Sequence, residues 1–234
     1  NTLRAVEGLE QQLISFGNAP DNDYYPERIV WYDGAHCSFD LMHHGEKLAS
    51  LSLNVPGRHN VLNAVAACVA ALEAGAAPDA LAVGLAAFSG VHRRMEILGQ
   101  HNGVTVADDY AHHPTELRVT LEAAKTLGYH SVWAVFQPFT YSRTALLLDD
   151  FAKVLPTADH VVMSAIMGAR EKNTYGITTE DLARKIPGSI WFETFEEIRD
   201  YVLANAQEGD LVITLGCGDI YKCAKMMLGQ KAVG

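Results

Sequence analysis

The sequence predicts an α/β fold in which a short segment of antiparallel hairpins and two helices precedes a larger, mostly parallel sheet. From about residue 93 onward, short apolar runs alternate with amphipathic stretches of helical spacing, which is the pattern of a parallel sheet with helices on both faces. Before that point, short segments of alternating polarity indicate hairpins. With 234 residues, 49% of them apolar, the chain can bury a substantial core.

The first part of the chain, residues 1–92, contains the predicted hairpins and two helices. Apolar positions that share one strand face are found at residues 29–32, at residues 38–42, and at Leu51, Leu53 and Val55. The spacing of apolar residues from Val61 to Leu72 predicts a helix that stops at Gly75. A second helix is predicted to begin with Pro78 at its first position and to end near Phe88.

The second part, residues 93–234, opens with a hairpin and continues as alternating strands and helices. Asn102-Gly103 is a dipeptide favoured in tight hairpin turns. Strands are predicted at residues 104–108, 131–136, 160–164, 190–192 and 211–215. Helices are predicted at residues 114–127, 142–155, 179–185, 195–206 and from Ile220. In parallel sheets ligands bind beyond the carboxyl ends of the strands, so the turns that follow the strands are the candidate site.

Charge and composition limit the partners and the compartment. The formal net charge of -10 argues against nucleic acid or an anionic membrane as a partner. No run approaches the roughly 18 to 20 apolar residues of a membrane span, and the polar residues 1–4 lack the features of a signal peptide. The four cysteines form no CxxC pair. We therefore expect a cytoplasmic protein with free thiols; its oligomeric state is not indicated.

The densest group of reactive side chains is the segment Asp108-Asp109-Tyr110-Ala111-His112-His113-Pro114, between a predicted strand and a predicted helix. Carboxylates can accept ribose hydroxyls or hold a metal, imidazoles can titrate near neutrality, and a helix N-terminus offers N–H groups to an anion. The structural alternative is a capped turn in which Asp109 satisfies backbone donors. Because two aspartates, a tyrosine and two histidines occur in one connection, we favour the functional interpretation.

Three further segments carry weaker signals. Arg143, in the turn after residues 131–136, could bind a carboxylate through two hydrogen bonds, or could be an ordinary surface arginine. Arg93-Arg94 could neutralise a polyphosphate, although exposed arginine pairs usually bind nothing. His59 and Asn63 share a helix face and could contact a planar base, or could be a cap and a polar residue at the edge of the core.

Five motifs occur in order between about Val55 and Leu228. They are Pro56-Gly57-Arg58-His59-Asn60 with Asn63-Ala64, Phe88-Ser89-Gly90-Val91 with Arg93-Arg94-Met95-Glu96, Asp108 to Pro114, Phe136-Gln137-Pro138 with Tyr141-Ser142-Arg143-Thr144, and Gly216 to Ile220. The series resembles the UDP-N-acetylmuramate:L-alanine ligases of the Mur ligase family. The order and spacing of five motifs are far more specific than any single motif.

The resemblance implies that residues 1–92 are the end of the central ATP-binding domain and that residues 93–234 are the C-terminal domain, with a Rossmann-like, dinucleotide-binding-like fold. The implied reaction belongs to peptidoglycan precursor synthesis. ATP phosphorylates the carboxylate of UDP-N-acetylmuramate, and the amine of L-alanine attacks the acyl phosphate. The protein's task is then to position a polyanion and neutralise its charge.

The resemblance also assigns residues to this reaction. Four would hold the nucleotide, namely His59, Asn63, Arg94 and Asp109. Four would face the amino acid, namely Tyr110, His112, Tyr141 and Arg143. Among them, Arg94 and His112 are the candidates for catalysis.

Two features depart from the family pattern. The family's phosphate loop, GT-x-GK-[TS], does not occur in this chain. The resemblance places that loop and the main magnesium ligands upstream of Asn1, so we expect this chain to be inactive alone. Phe139-Thr140 stands where relatives often have His-Arg, which removes one of two expected cations and leaves the amino-acid substrate less certain than the family.

Three alternatives remain open at this stage. The first is a sibling ligase that attaches a recycled murein tripeptide to the same sugar; Tyr110 in place of phenylalanine mildly favours the alanine enzyme. The second is a metal-dependent hydrolase built on Asp108, Asp109, His112 and His113. The third is a non-catalytic module that binds nucleotide or amino acid, which is what we expect of this chain in isolation.

Overall fold

A computed structural model describes residues 6, 8, 10–11, 13–32 and 36–230. The polar residues 1–4 therefore lie outside the described residues. The chain forms two compact units. The described residues of the first unit are those up to Tyr32, His36–Asn54 and Arg58–Phe88; those of the second are Val55–Gly57 and residues 89–230.

The first unit is an antiparallel sheet with two helices. Its strands are β1 (Tyr24–Tyr32), β2 (His36–His43) and β3 (Glu46–Leu53), paired in the order β1-β2-β3. Its helices are α1 (His59–Glu73) and α2 (Pro78–Ala87). Apolar side chains from the strands and from the inner faces of the helices are buried, among them Phe39, Leu41, Leu51, Leu53, Val61, Val65 and Leu81. The predicted hairpins and both helices are confirmed.

One position in the first part differs from the prediction. Leu51 and Leu53 are buried in β3, but Val55 lies beyond the end of that strand and is only half-buried. Pro56 follows it directly, and a residue before proline is restricted by the proline ring, which also supplies no N–H to a strand ladder. The strand therefore ends before Val55.

The second unit contains the predicted parallel sheet. Its strands are β4 (Glu96–His101), β5 (Val104–Asp109), β6 (Val132–Phe136), β7 (His160–Ser164), β8 (Ile190–Phe192) and β9 (Leu211–Leu215). They pair in the order β4-β5-β9-β6-β7-β8. The edge strand β4 is antiparallel to β5, to which the tight turn at Asn102-Gly103 connects it, and the remaining pairs are parallel. The α/β fold class is confirmed.

Helices cover both faces of this sheet. They are α3 (Pro114–Lys125), α4 (Tyr141–Leu146), α5 (Leu148–Val154), α6 (Thr179–Ala183), α7 (Phe195–Asn205) and α8 (Tyr221–Met227). In β6, Ala134 and Phe136 face a core that includes Leu121 of α3, whereas Trp133 and Val135 face a core that includes Val202 of α7. The alternation of β6 side chains thus fills two separate cores.

A single helix predicted at residues 142–155 is instead two helices. Leu147 leaves helical geometry, with φ of −113° and ψ of 20°, between α4 and α5. Leu146, Leu147 and Leu148 are consecutive, so they cannot all face one side of a regular helix. The break lets Leu147 and Leu148 both pack against the core, while Leu146 remains 75% exposed.

Candidate functional site

The carboxyl ends of three neighbouring strands meet at one edge of the sheet. Leu215, the last residue of β9, pairs with Asp109 at the end of β5 and with Phe136 at the end of β6. The three connections that follow therefore begin at the same level. We call them the β5 turn (residues 110–113), the β6 turn (residues 137–140) and the β9 turn (residues 216–220).

Asp109 is buried at the start of the β5 turn. Its Oδ1 accepts a hydrogen bond from the N–H of Ala111 at 2.7 Å, and its Oδ2 accepts one from the N–H of Met95 at 2.8 Å. Burial raises the pKa of this carboxyl, although the two backbone hydrogen bonds oppose the shift. Each carboxylate oxygen can accept more than one donor, so Asp109 could take a further hydroxyl. It also satisfies backbone donors, as the structural alternative predicted.

Asp108 lies inside the sheet and is paired on both oxygens. Oδ1 accepts from the Oγ1 of Thr214 at 2.6 Å, and Oδ2 accepts from the Nε of Arg93 at 2.8 Å. Its side chain is 2% exposed. Burial raises the pKa of the Asp108 carboxyl, even though both partners favour the charged form. Asp108 is thus a structural anchor for Arg93.

Of the two arginines before β4, one is largely buried and the other is exposed. The Nη2 of Arg93 donates to the carbonyl of Gly216 at 2.6 Å, and only 23% of its side chain is exposed. Arg94 is exposed, and its Cζ lies 5.7 Å from the centroid of the Tyr110 ring. Arg94 is therefore the arginine that is accessible to a ligand.

The two histidines of the β5 turn differ in function. His113 caps α3: its Nδ1 accepts from the N–H of Thr115 at 3.3 Å, and Glu116 accepts from the N–H of His113 at 3.3 Å. The Nδ1 of His112 lies 3.0 Å from the carbonyl oxygen of Tyr110. Because a carbonyl can only accept, Nδ1 carries the hydrogen in this contact, so that in the neutral ring Nε2 is the nitrogen able to accept a proton.

Glu116 ties the β5 turn to α3. It also accepts from the N–H of His112 at 3.0 Å. Burial acts to raise the pKa of Glu116, but the hydrogen bonds from the two histidine N–H groups and the nearby His112 ring lower it overall. The carboxylate therefore stays charged and holds the turn at the N-terminus of the helix.

Gln137 joins the β6 turn to the β9 turn. Its Oε1 accepts from the N–H groups of Asp219 and Ile220 at 3.0 and 3.2 Å, and its Nε2 donates to Asp219 at 2.9 Å. A Cβ on Gly218 would collide with this amide and would lie 2.7 Å from the Sδ of Met167. A side chain at this position would therefore force Gln137 or Met167 to move.

Arg143 lies on α4 beside the β9 turn. Burial raises the pKa of the Cys217 thiol, and the nearby charge of Arg143 opposes that shift. The Nη1 of Arg143 is buried and has no hydrogen-bond partner among the described residues. A buried guanidinium nitrogen without a partner is costly, so this nitrogen would gain from an anionic ligand.

Thr140, where the resemblance led us to expect a cation, has a structural function here. Its Oγ1 accepts from the N–H of Arg143 at 3.3 Å, and its carbonyl accepts from Thr144. Thr140 is thus the N-cap of α4. Tyr141, the first residue of that helix, packs so close to Gly168 that a Cβ there would lie 2.8 Å from the tyrosine ring.

The connection after β7, residues 165–178, is hydrogen-bonded to the β6 turn and to the start of α4. The N–H of Met167 donates to the carbonyl of Pro138 at 3.0 Å. Glu171 accepts from the N–H and the Oγ of Ser142 at 2.8 and 2.5 Å, and these hydrogen bonds lower its pKa. The helix that carries Tyr141 and Arg143 is therefore fixed from the side of β7 as well.

The predicted site residues fall into two sets. Arg94, Asp109, Tyr110, His112, Tyr141 and Arg143 lie in the second unit, around the three turns. His59 and Asn63 lie in the first unit, at the start of α1, where both are exposed and the Nδ2 of Asn63 donates to Asn60 at 3.0 Å. Among the described residues, no group of three or more histidine, cysteine, aspartate or glutamate side chains could hold a metal ion.

Comparison with known proteins identifies the family. Residues 93–218 match the family model described as Mur ligase, glutamate ligase domain. The chain belongs to the Mur ligase family. A UDP-N-acetylmuramate--L-alanine ligase from Lachnospira eligens is 44% identical over 222 residues, which are 93% of this chain and 48% of the relative. This Mur ligase chain thus spans about half the length of the curated relatives it matches.

Solved Mur ligase structures have the same fold. A UDP-N-acetylmuramate-alanine ligase from Thermotoga maritima aligns with a TM-score of 0.74 and 27% identity, over 92% of this chain and 47% of the other. A murein peptide ligase from Psychrobacter arcticus aligns with a TM-score of 0.67 and 25% identity, over 92% and 45%. In the part of the chain that the structure describes, no helix is long and apolar enough to cross a membrane.

Sequence reasoning did not foresee the contacts that hold the three turns. Gln137, Glu116 and Glu171 hold the turns, and Arg93 rather than Arg94 is the buried arginine. Glu116 had a local signal, because it follows the helix cap His113 by three residues. Glu171 had no local signal in the sequence, since its hydrogen-bond partner Ser142 is 29 residues away along the chain.

Proposed function

We propose that this chain supplies the second half of an ATP-dependent ligase that joins L-alanine to the carboxylate of UDP-N-acetylmuramate in peptidoglycan precursor synthesis. The observation that carries the proposal is the 44% identity over 93% of the chain to a relative of that name. In this proposal residues 1–92 are the end of the central ATP-binding domain and residues 93–234 are the C-terminal domain. Magnesium would accompany ATP, held mainly by residues upstream of this chain.

The reaction has two steps. The carboxylate of UDP-N-acetylmuramate attacks the γ-phosphorus of ATP, which yields an acyl phosphate and ADP. The amine of L-alanine then attacks the acyl carbon, so that an amide bond forms, phosphate leaves and a proton is released. The protein does not form a covalent bond in either step, so its contribution is positioning and charge neutralisation.

On the nucleotide side, the proposal assigns Arg94 to the phosphates and Asp109 to the ribose. Arg94 is exposed, so its positive charge could neutralise a transferring phosphoryl group. Asp109 has spare acceptor capacity on both oxygens, which suits the two donors of a ribose. His59 and Asn63, exposed on one face of α1, would contact adenine.

On the amino-acid side, the proposal assigns Arg143 to the carboxylate of L-alanine, because its Nη1 is buried without a partner among the described residues. His112 would accept the proton of the attacking amine at Nε2, since Nδ1 contacts the carbonyl of Tyr110. Tyr110 and Tyr141 would line the same pocket. Thr140 offers no second cation, so Arg143 would bind the carboxylate alone.

The test is a ligase assay of a full-length enzyme that carries this chain. With UDP-N-acetylmuramate, ATP and L-alanine, we expect phosphate release that depends on all three substrates. The matched reaction replaces L-alanine with murein tripeptide. Phosphate release with the tripeptide alone would reject L-alanine as the substrate and would assign the chain to the murein peptide ligases, which the structure from Psychrobacter arcticus represents.

The chain by itself is proposed to be a binding module without turnover. We expect no ATP hydrolysis by the 234-residue chain, because the family's phosphate loop does not occur in it. Calorimetry with ADP tests whether this half retains affinity for nucleotide. Steady ATP hydrolysis by the isolated chain would contradict the proposal.

A further inference from the structure

The side chain of Arg93 contacts several elements near the β5 and β9 turns. In addition to its hydrogen bonds to Asp108 and Gly216, its guanidinium carbon lies 4.9 Å from the ring centroid of Tyr110 and 5.0 Å from that of Tyr221. One side chain thus contacts β5, the β5 turn, the β9 turn and α8. Only arginine has a planar group that can donate in two directions and stack on aromatic rings at once.

The backbone around Arg93 is tied to the same turns. The carbonyl of Arg93 accepts from the N–H of Tyr110 at 2.7 Å, and the N–H of Met95 donates to Asp109. Arg93 and Met95 both have positive φ, 58° and 47°, a conformation that costs side-chain-bearing residues energy and persists only where surrounding contacts enforce it. Arg94 lies between these two residues, so its direction depends on them.

We propose that Arg93 is a positioning residue for the nucleotide side of the site: by joining the β5 and β9 turns, it holds Arg94 and Asp109 in the arrangement that receives the phosphates and ribose of ATP. The inference rests on the proposed function for the identity of the ligand. Its structural half, the joining of the two turns, does not depend on that function. Arg93 does not touch the reacting atoms in this arrangement; it acts through Arg94 and Asp109.

Hydrogen exchange on the 234-residue chain tests the structural half. The N–H of Tyr110 donates to the backbone carbonyl of Arg93, and the N–H of Gly216 donates to the backbone carbonyl of Asp109 at 3.1 Å. In Arg93→Met we expect both amides to exchange at least about tenfold faster, because the hydrogen bonds from the charged guanidinium to Asp108, near the end of β5, and to Gly216 in the β9 turn are both lost. Arg93→Lys, which keeps the charge, should show a smaller increase.

Two comparisons separate this effect from general loss of stability. The amide of Ile213, in the centre of β9, reports opening of the whole sheet and should change less than those of Tyr110 and Gly216. Arg184→Met removes an exposed arginine that pairs only along its own helix among the contacts described and should change none of the three amides. If Tyr110 and Gly216 change no more than Ile213, the proposal is wrong.

The functional half is tested in the full-length enzyme by separating two Michaelis constants. In Arg93→Met we expect KM for ATP to rise about tenfold and KM for L-alanine to stay within about twofold. Arg93→Met leaves the buried Asp108 without its cationic partner, and this could unfold the variant. The double variant Arg93→Met with Asp108→Asn removes that buried charge and should still show the higher KM for ATP. An unchanged KM for ATP would overturn the positioning function.

Failure of the proposed reaction is distinguishable from failure of this inference. If the wild-type enzyme releases no phosphate, the proposed function fails, and the exchange rates of Tyr110 and Gly216 alone decide whether Arg93 joins the two turns.

Discussion

The two edges of the sheet in the second unit differ in how they hold aspartates. At the carboxyl edge, burial raises the pKa of Asp108 and of Asp109. At the amino edge, Asp159 and Asp210 are also subject to burial, but the hydrogen bonds that they accept lower their pKa overall. The charged form of aspartate is therefore stabilised at the amino edge and destabilised at the carboxyl edge.

At the amino edge the hydrogen-bond donors outweigh burial, whereas at the carboxyl edge, where Asp108 and Asp109 each also have two donors, burial outweighs them. Asp210 accepts from the Nε1 of Trp133 at 3.0 Å, from the N–H of Gln207 at 2.9 Å and from the Nδ1 of His130 at 3.1 Å. Asp159 accepts from the N–H of Val132, at the start of β6, and from Lys125. Strand starts offer free N–H groups, whereas strand ends offer carbonyls that cannot stabilise a carboxylate. The carboxyl edge is thus the one that benefits from an added donor or cation.

The largest effect should come from Asp210→Asn at the amino edge. The amide NH₂ would face donors that the carboxylate now accepts, so we expect a loss of about 3 kcal/mol in the free energy of unfolding, measured by urea denaturation. Asp200→Asn, on the exposed face of α7, is the control and should cost less than about 0.5 kcal/mol. A loss at Asp210 no greater than at Asp200 would break the comparison.

The pH dependence of that loss has a defined sign. The fold lowers the pKa of Asp210 below its ordinary value of 3.8, so its stabilisation is present above that value and is lost as pH falls through the folded pKa. The difference between wild type and Asp210→Asn should therefore be full at neutral pH and shrink below pH 3.8. Urea curves at a series of pH values measure it.

Gly218→Ala should have the second largest effect and tests how tightly the carboxyl edge is packed. The new methyl group would displace Gln137, whose Oε1 holds two N–H groups of the β9 turn. We expect a loss of about 2 kcal/mol in the free energy of unfolding. Gly84→Ala on α2, where a Cβ meets nothing within 4 Å, should instead be neutral or stabilising by up to about 1 kcal/mol. Equal effects would show that the turn is loosely packed.

Thr140→Ala should have a smaller effect, because it removes only the cap of α4. The expected loss is about 1 kcal/mol in the free energy of unfolding. Thr140→Ser keeps the hydroxyl and should lose much less, so the pair separates capping from packing. Thermal denaturation measures both variants, and a Thr140→Ser loss as large as that of Thr140→Ala would contradict the capping function.

Asp108→Asn should have the smallest effect at neutral pH and gives the direct contrast with Asp210→Asn. An asparagine can accept from Arg93 and donate to the Oγ1 of Thr214, which can turn its own hydrogen to the carbonyl of Ala107. We therefore expect a change of less than about 1 kcal/mol in the free energy of unfolding. A loss as large as that at Asp210 would remove the distinction between the edges.

The pH trend of Asp108→Asn should also be opposite to that of Asp210→Asn. The fold raises the pKa of Asp108 above its ordinary value of 3.8, so its contribution to stability is present below that value and is lost as pH rises through the folded pKa. Relative to wild type, the variant should be more stable at pH values above this range than below it. Denaturation over the same pH series checks both signs together.

Much of the fold could be predicted from local sequence. The strands predicted at residues 160–164, 190–192 and 211–215 have those bounds in the structure, because each is a short apolar run with clear breaks on both sides. The break at Leu147 could not be predicted, since Ala145 and the leucines that follow it favour a helix and only the core decides which leucines are buried.

By itself, the sequence determined the alternation of strands and helices, the position of the reactive turns and the resemblance to the Mur ligases, because periodicity and motif order are local properties of the chain. Tertiary structure decided which of two adjacent arginines is buried, that Gln137 joins the β6 and β9 turns, and that Asp109 bonds to Met95. Those pairings depend on strand order, which places β9 between β5 and β6, and no local pattern in the sequence encodes that order.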